Sequence, residues 1–169
     1  GDLATCESWS NLPLNESFAT YGEYLWNEYK YGRDIADIGL ESDLKSYLDE
    51  SKMKQEHLIR FYYENREDMF DRHSYAKGGT ILHMLRKYLG DDAFFAGLKL
   101  YLKNNSFKSA EVHDLRLAFE EVTGEDLNWF FNQWFLNQGH PTLSIKYNWD
   151  AATMTQQITV EQLQDLNTT

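Results

Sequence analysis

Apolar residues recur three and four positions apart along most of the chain, then alternate with polar ones near its end. The first period predicts amphipathic helices and the second predicts strands. Asn15 suits an N-cap, with Glu16 in the first helical turn. Helical character then runs to about Tyr31, where Gly32 stops it. Phe18, Tyr21, Leu25 and Trp26 fall on one face and are expected to point at the core. A second helix is expected over about 34–54, with Leu40, Leu44, Tyr47 and Leu48 as its apolar stripe. Gly39 weakens its first turns, since an interior glycine costs roughly 1 kcal/mol. Residues 57–69 read as irregular or extended, with a short strand weighed for Leu58-Ile59-Arg60-Phe61-Tyr62-Tyr63. Asp71 opens a third helix through Tyr75, Ile81, Leu82, Leu85 and Leu89, closed by Gly90. Asp91 or Asp92 caps a fourth helix, and Ser109 caps a fifth that Gly124 ends. A sixth, over 126–137, is dense in aromatics: Trp129, Phe130, Phe131, Trp134 and Phe135.

The period changes after Pro141. Leu143, Ile145 and Tyr147 alternate with polar residues, and Ile158, Val160 and Leu163 do so in part. Asp150-Ala151-Ala152 between them reads as a hairpin connection. A boundary is therefore expected near Gly139-His140-Pro141, with residues 1–139 helical and 140–169 opening a β domain. Two strands do not fold alone, so the hairpin reads as the start of something larger. The architecture expected is mainly α, followed by one hairpin.

Composition narrows the partners. The net charge of −11 excludes a nucleic-acid or anionic-membrane role, because both need basic patches. No apolar run approaches the about 18 residues of a membrane span. Cys6 is the only cysteine, so no disulfide framework exists; it reads as a small buried hydrophobe and not as a nucleophile. The compartment is left open. Five histidines are present, and no two have the i, i+4 spacing of a helical metal pair. His73, two residues from Tyr75, is the one nearest the candidate chemistry. Lys77-Gly78-Gly79 lacks the frame of a phosphate-binding loop.

Two segments carry chemistry. Trp9-Ser10-Asn11-Leu12-Pro13-Leu14-Asn15-Glu16-Ser17-Phe18-Ala19 resembles the segment with the third zinc ligand in the aminopeptidase N family of zinc metallopeptidases, the gluzincins. Phe70-Asp71-Arg72-His73-Ser74-Tyr75-Ala76-Lys77-Gly78-Gly79 resembles that family's Tyr-x-Lys-Gly element, and Ile81-Leu82-His83-Met84-Leu85-Arg86 continues the likeness. The chain departs from the pattern at Ser17, commonly Gly, and at Asn11, often Asp; neither is a ligand. The resemblance runs from Gly1 to about Trp149.

It implies the helical C-terminal half of a thermolysin-like catalytic domain followed by the first two strands of a β domain. It also implies a zinc aminopeptidase acting on peptide substrates. Glu16 is then the metal ligand, since a carboxylate suits zinc and completes a His₂Glu set with one open position. Tyr75 is the catalytic hydrogen-bond donor to the substrate oxyanion, and a donor aimed at developing charge can contribute several kcal/mol. Glu23, seven residues beyond Glu16 on the same helical face, is either a solvated acid or a group orienting a ligand histidine. No cofactor site other than one zinc ion is implied.

The family's spacing places the two His ligands and the general-base Glu just before Gly1, with the amine-recognition motif further upstream. The chain thus reads as a piece of an enzyme, expected to hold zinc poorly, to be inactive by itself, and to self-associate through its cut ends. Two rivals stay open: a catalytically dead homologue used as a binding scaffold, and an unrelated helical interaction domain. The second would place Glu16 and Tyr75 apart.

Overall fold

The computed structural model describes residues 2–164, which form two compact units, 2–138 and 139–164. The first is helical: α1 (Pro13–Tyr31), α2 (Arg33–Ser51), α3 (Gly78–Leu89), α4 (Asp91–Asn104), α5 (Val112–Thr123) and α6 (Asn128–Trp134). Two short strands, β1 (Thr5–Cys6) and β2 (Ser109–Ala110), pair in parallel. Its core joins Tyr21 and Tyr24 of α1, Leu82 and Leu85 of α3, Phe94 of α4, Phe119 of α5 and Phe130 and Phe131 of α6. Gly97 lets α4 lie on α5, because a Cβ there would strike the Phe119 ring.

Several local expectations change. The N-cap of α1 is Leu12, with Pro13 in the first helical position, where its missing N–H costs nothing. Asn15 lies inside the helix, its Nδ2 directed at Cys6 Sγ 3.7 Å away. Trp26 is 56% exposed and does not join the core. Ser109 belongs to β2, and Glu111 caps α5 through a reciprocal pair of bonds with Asp114. α6 is shorter than expected, because Gly124 turns left-handed and the Leu127 N–H is bonded to the Glu120 carboxylate 2.9 Å away.

No strand forms at 58–63. The Ile59 N–H bonds the Phe135 carbonyl at 2.9 Å, and Phe61 and Tyr62 face solvent. The expected third helix is interrupted at its start: residues His73–Lys77 form a π turn before α3 begins.

The second unit is an antiparallel hairpin, β3 (Leu143–Asp150) and β4 (Thr155–Gln162), in the register Ile145 to Val160 and Tyr147 to Ile158. Leu143, Ile145, Tyr147, Trp149, Ile158 and Val160 all stand exposed.

Candidate active site

The start of α1 is held from far along the chain. Asn11, buried in the short turn before Pro13, accepts the N–H of Val112 at 3.0 Å. That N–H is one of the unpaired amides at the head of α5. Leu12 and Leu14 are buried on either side of Pro13. Glu16 follows in the first turn, half-buried, its N–H bonded to the Leu12 carbonyl at 3.0 Å.

Opposite it stands the π turn. Its bonds skip five residues, from the Lys77 N–H to the Arg72 carbonyl at 2.9 Å and from the Gly78 N–H to the His73 carbonyl. Such a widened turn re-aims its side chains and recurs at functional sites. Here it directs Tyr75 toward α1, near enough to Glu16 for the phenol to feel that carboxylate. Burial and that carboxylate both push the Tyr75 hydroxyl above its usual range, so it is protonated at neutral pH. Residues 59 positions apart in sequence thus meet.

α1 and α3 approach closely behind this contact. A Cβ on Gly78 would collide with the Ser17 hydroxyl and lie 2.6 Å from Ser17 Cβ, and one on Gly79 would lie 3.1 Å from the Thr20 methyl. The Ser17 hydroxyl donates to the Ser74 carbonyl at 2.7 Å, wholly buried. Glu23 is exposed two turns beyond Glu16. It faces α2, where Asp43 is pushed up by burial and by the Glu23 charge while Arg72 pulls it down.

The reverse side of the same turn carries a second polar cluster. His73 is fully buried; its Nδ1 lies 2.7 Å from the Glu50 carboxylate and its Nε2 accepts the Glu56 N–H at 3.2 Å. The proton therefore sits on Nδ1, and burial holds His73 below its usual range against the pull of Glu50. Asp71 bridges Arg60 and Lys54, both at 2.7 Å, and accepts the Ser74 N–H at 3.0 Å. Burial pushes its carboxyl up, but these bonds outweigh burial and hold it low. Lys77 is also buried, and its ammonium has no hydrogen-bond partner among the described residues. Burial and the Arg60 charge bring it down to about 8.

Which of these groups suit a metal? Glu50, Asp71 and His73 lie close enough together for an ion. Their donor atoms already serve Arg60, Lys54 and protein N–H groups, so they do not fit as ligands. Glu16 fits better: it is half-exposed, and the groups that feel its charge, Tyr75 and Cys6, are neutral. A carboxylate there would supply one oxygen ligand, with the remainder of a zinc set coming from other residues. A cleft of about 390 Å³ lies along another face of α1, lined by Leu14, Phe18, Leu98 and Tyr101 among others, and holds neither Glu16 nor Tyr75. Cys6 is half-buried and its thiol is pushed up mainly by burial, which suits a structural role. No helix of the described residues is long and apolar enough to cross a membrane.

Residues 1–134 match the Peptidase family M1 domain. The glutamyl aminopeptidase of Bitis rhinoceros is 34% identical over 161 residues, which cover 93% of this chain and 16% of that protein. The crystal structure of Legionella pneumophila aminopeptidase A in complex with aspartic acid superposes with a TM-score of 0.76 at 22% identity, over 96% of this chain and 18% of that one; at that identity it speaks for the fold alone. The M1 zinc metallopeptidase from Deinococcus radiodurans superposes with a TM-score of 0.68 at 27% identity, over 84% of this chain and 31% of that one. The chain spans 16–21% of the length of the curated relatives it matches.

Proposed function

The chain belongs to peptidase family M1, and from that premise we propose that it is the part of a zinc aminopeptidase that supplies the third metal ligand, Glu16, and the oxyanion donor, Tyr75. The observation that carries this reading is that the two motif segments meet: the Tyr75 hydroxyl feels the Glu16 carboxylate, and their neighbours Ser17 and Ser74 are joined by a 2.7 Å hydrogen bond. An unrelated helical bundle has no reason to join these two motif positions.

Zinc held by Glu16 and two histidines would act as a Lewis acid and lower the pKa of a water. The His pair and general base would come from residues beyond this chain, whose own 169 residues contain no His-Glu-x-x-His. Glu16 is presented by a helix end fixed through Asn11 and Pro13, so its carboxylate needs little reordering to bind. Tyr75, kept protonated, stands near enough to Glu16 to feel its charge and has a hydroxyl hydrogen to donate. With Glu16 engaged by metal, the same donor is free to turn toward the oxygen of the substrate's scissile carbonyl. Its bond strengthens as negative charge gathers there, so the contribution falls in the transition state. Glu23, displaced toward α2, acts at most through a ligand histidine.

Peptide substrates and the zinc requirement follow from this reading, as does inactivity of the 169-residue chain alone. Self-association through the exposed hairpin face belongs to the same expectation. The deciding experiment replaces Glu16 by Ala in the full-length protein. Zinc content measured by atomic emission should fall below stoichiometric and aminoacyl-anilide hydrolysis should be lost together. Retention of one zinc per chain in E16A would remove Glu16 from the ligand set.

A further inference from the structure

We propose, resting on the zinc-aminopeptidase reading, that Ser17 is a positioning residue that locks Tyr75 onto Glu16 by bonding the π turn to the head of α1. The juxtaposition is direct. Ser17 follows Glu16 in sequence, and Ser74 precedes Tyr75. The bond from the Ser17 hydroxyl to the Ser74 carbonyl, 2.7 Å long, therefore joins the immediate neighbours of the two functional side chains. Both serines are buried, Ser17 at 1% and Ser74 at 0% exposure, so water cannot replace either partner.

A π turn is less regular than an α-helix and persists where other contacts fix it. Three features fix this one on its α1 side. The Ser17 hydroxyl holds the Ser74 carbonyl. Gly78, without a Cβ, leaves the space that this hydroxyl fills. Gly79 lets the Thr20 methyl come up against α3 one turn along α1. The first is a polar tie and the other two are packing. Removing the hydroxyl would break the tie and empty the space against Gly78, leave the Gly79–Thr20 contact in place, and free the turn to slide. A shift on the order of 1 Å at a catalytic donor can cost 10²-fold in rate, so a partial loosening should register. The position is also where this chain departs from the family pattern: glycine, the common residue there, has no hydroxyl to offer.

The test uses Ser17→Ala, Ser17→Gly, Tyr75→Phe and the S17A/Y75F double variant in the full-length protein. In S17A, kcat should fall roughly tenfold with KM changed by less than about twofold and zinc content unchanged. In the Y75F background, S17A should change kcat by less than about twofold, because a positioning residue has nothing left to position. Amide hydrogen exchange of residues 75–79, read in the metal-free protein, should speed up in both S17A and S17G. Unchanged exchange in both variants overturns the lock. A full S17A loss that persists on top of Y75F overturns its action through Tyr75. A silent Y75F overturns the reading of Tyr75 and the catalytic part of this role, and the exchange result tells that failure apart from failure of the lock.

Discussion

The two faces of the π turn hold nearly the same kinds of side chain and do opposite things. Toward α1 the turn presents Tyr75 to a half-exposed carboxylate, Glu16. Toward α2 it presents a buried histidine and aspartate to Glu50, Arg60 and Lys54. By residue type alone the α2 side is the better metal site, with one His and two carboxylates in reach of each other. Its donor atoms are saturated by cations and N–H groups of the protein itself, whereas the groups that feel the Glu16 charge, Tyr75 and Cys6, are neutral. Chemical potential at a site is set by what the ligand atoms still have free, and a cluster can be rich in ligand-type residues yet inert.

The comparison breaks most severely at Asp71. Its carboxylate is 5% exposed and joins Arg60, Lys54 and the Ser74 amide. Asp71→Ala would leave the Arg60 guanidinium buried without its counter-charge, which typically costs 3–5 kcal/mol. We expect a loss of about that size in urea unfolding. The pH dependence follows from the lowered carboxyl: the stabilisation is fully present above the unfolded value of about 3.9 and is lost as pH falls through the folded one. The gap between wild type and variant should therefore close in acid. A D71A protein as stable as wild type at neutral pH would mean the α2 side is not a structural cluster.

Tyr75→Phe is the matching test on the α1 side. It removes one donor and keeps the ring, so kcat in the full-length enzyme should fall on the order of 10²–10³ while the melting temperature barely moves. Steady-state kinetics with an aminoacyl anilide reads the first, and calorimetry the second. If the two faces differ as argued, D71A is a stability variant and Y75F is a rate variant.

Lys77 sharpens the contrast with a smaller effect of opposite sign. Its ammonium is buried beside Arg60, 5.5 Å over the Tyr47 ring and without a hydrogen-bond partner among the described residues, and burial brings it down to about 8. Lys77→Met keeps the length of the stem and removes the charge, so the fold should gain about 1–3 kcal/mol at pH 7, the scale of an unpaired buried polar group. Because the folded value lies below the unfolded one of about 10.4, folding releases protons between them. Wild-type stability should thus rise from about pH 8 toward 10, and K77M should lack that rise. Stability curves by denaturant titration at three pH values check both. Equal slopes in the two proteins would show that Lys77 finds an acceptor in solution.

How much of this could be read along the chain depended on distance in sequence. Glu16 and Tyr75 were legible because each sits in a local run whose types and order are distinctive. The resemblance also implied that the two share one cleft; what it could not show is the close approach that Gly78 and Gly79 allow between α1 and α3. Asn15 carried a capping signal, but Pro13 and the buried Leu12 start the helix earlier. Ser109 looked like a cap and is a strand residue, because its partner Thr5 lies more than a hundred positions away. The run at 58–63 had strand composition but pairs with no strand among the described residues; the Phe135 carbonyl takes the Ile59 amide instead. Periodicity put Trp26 on the core face, yet 56% of it is exposed at the far end of α1. At Ser109 and at Ile59 a local preference yielded to a tertiary partner it could not see.

The last prediction concerns an effect expected to be nil. If the α2-side cluster is saturated, zinc added in excess should find no second site there. Binding would require His73 to surrender the Glu56 N–H at Nε2 or the Glu50 bond at Nδ1, and Asp71 to leave Arg60 and Lys54. Each surrendered bond leaves a buried group unpaired, at roughly 1–3 kcal/mol apiece and more for the charged ones. A ligand that stabilises only the folded state must raise the melting temperature in proportion to its affinity. We therefore expect Glu50→Gln to leave the zinc stoichiometry of the full-length protein at its wild-type value. The zinc dependence of melting should be identical in the two proteins, in contrast to Glu16→Ala. A zinc-induced rise in melting temperature that Glu50→Gln abolishes would reverse the assignment, making the α2 side the metal site and leaving Glu16 as an ordinary acid in the first turn of its helix.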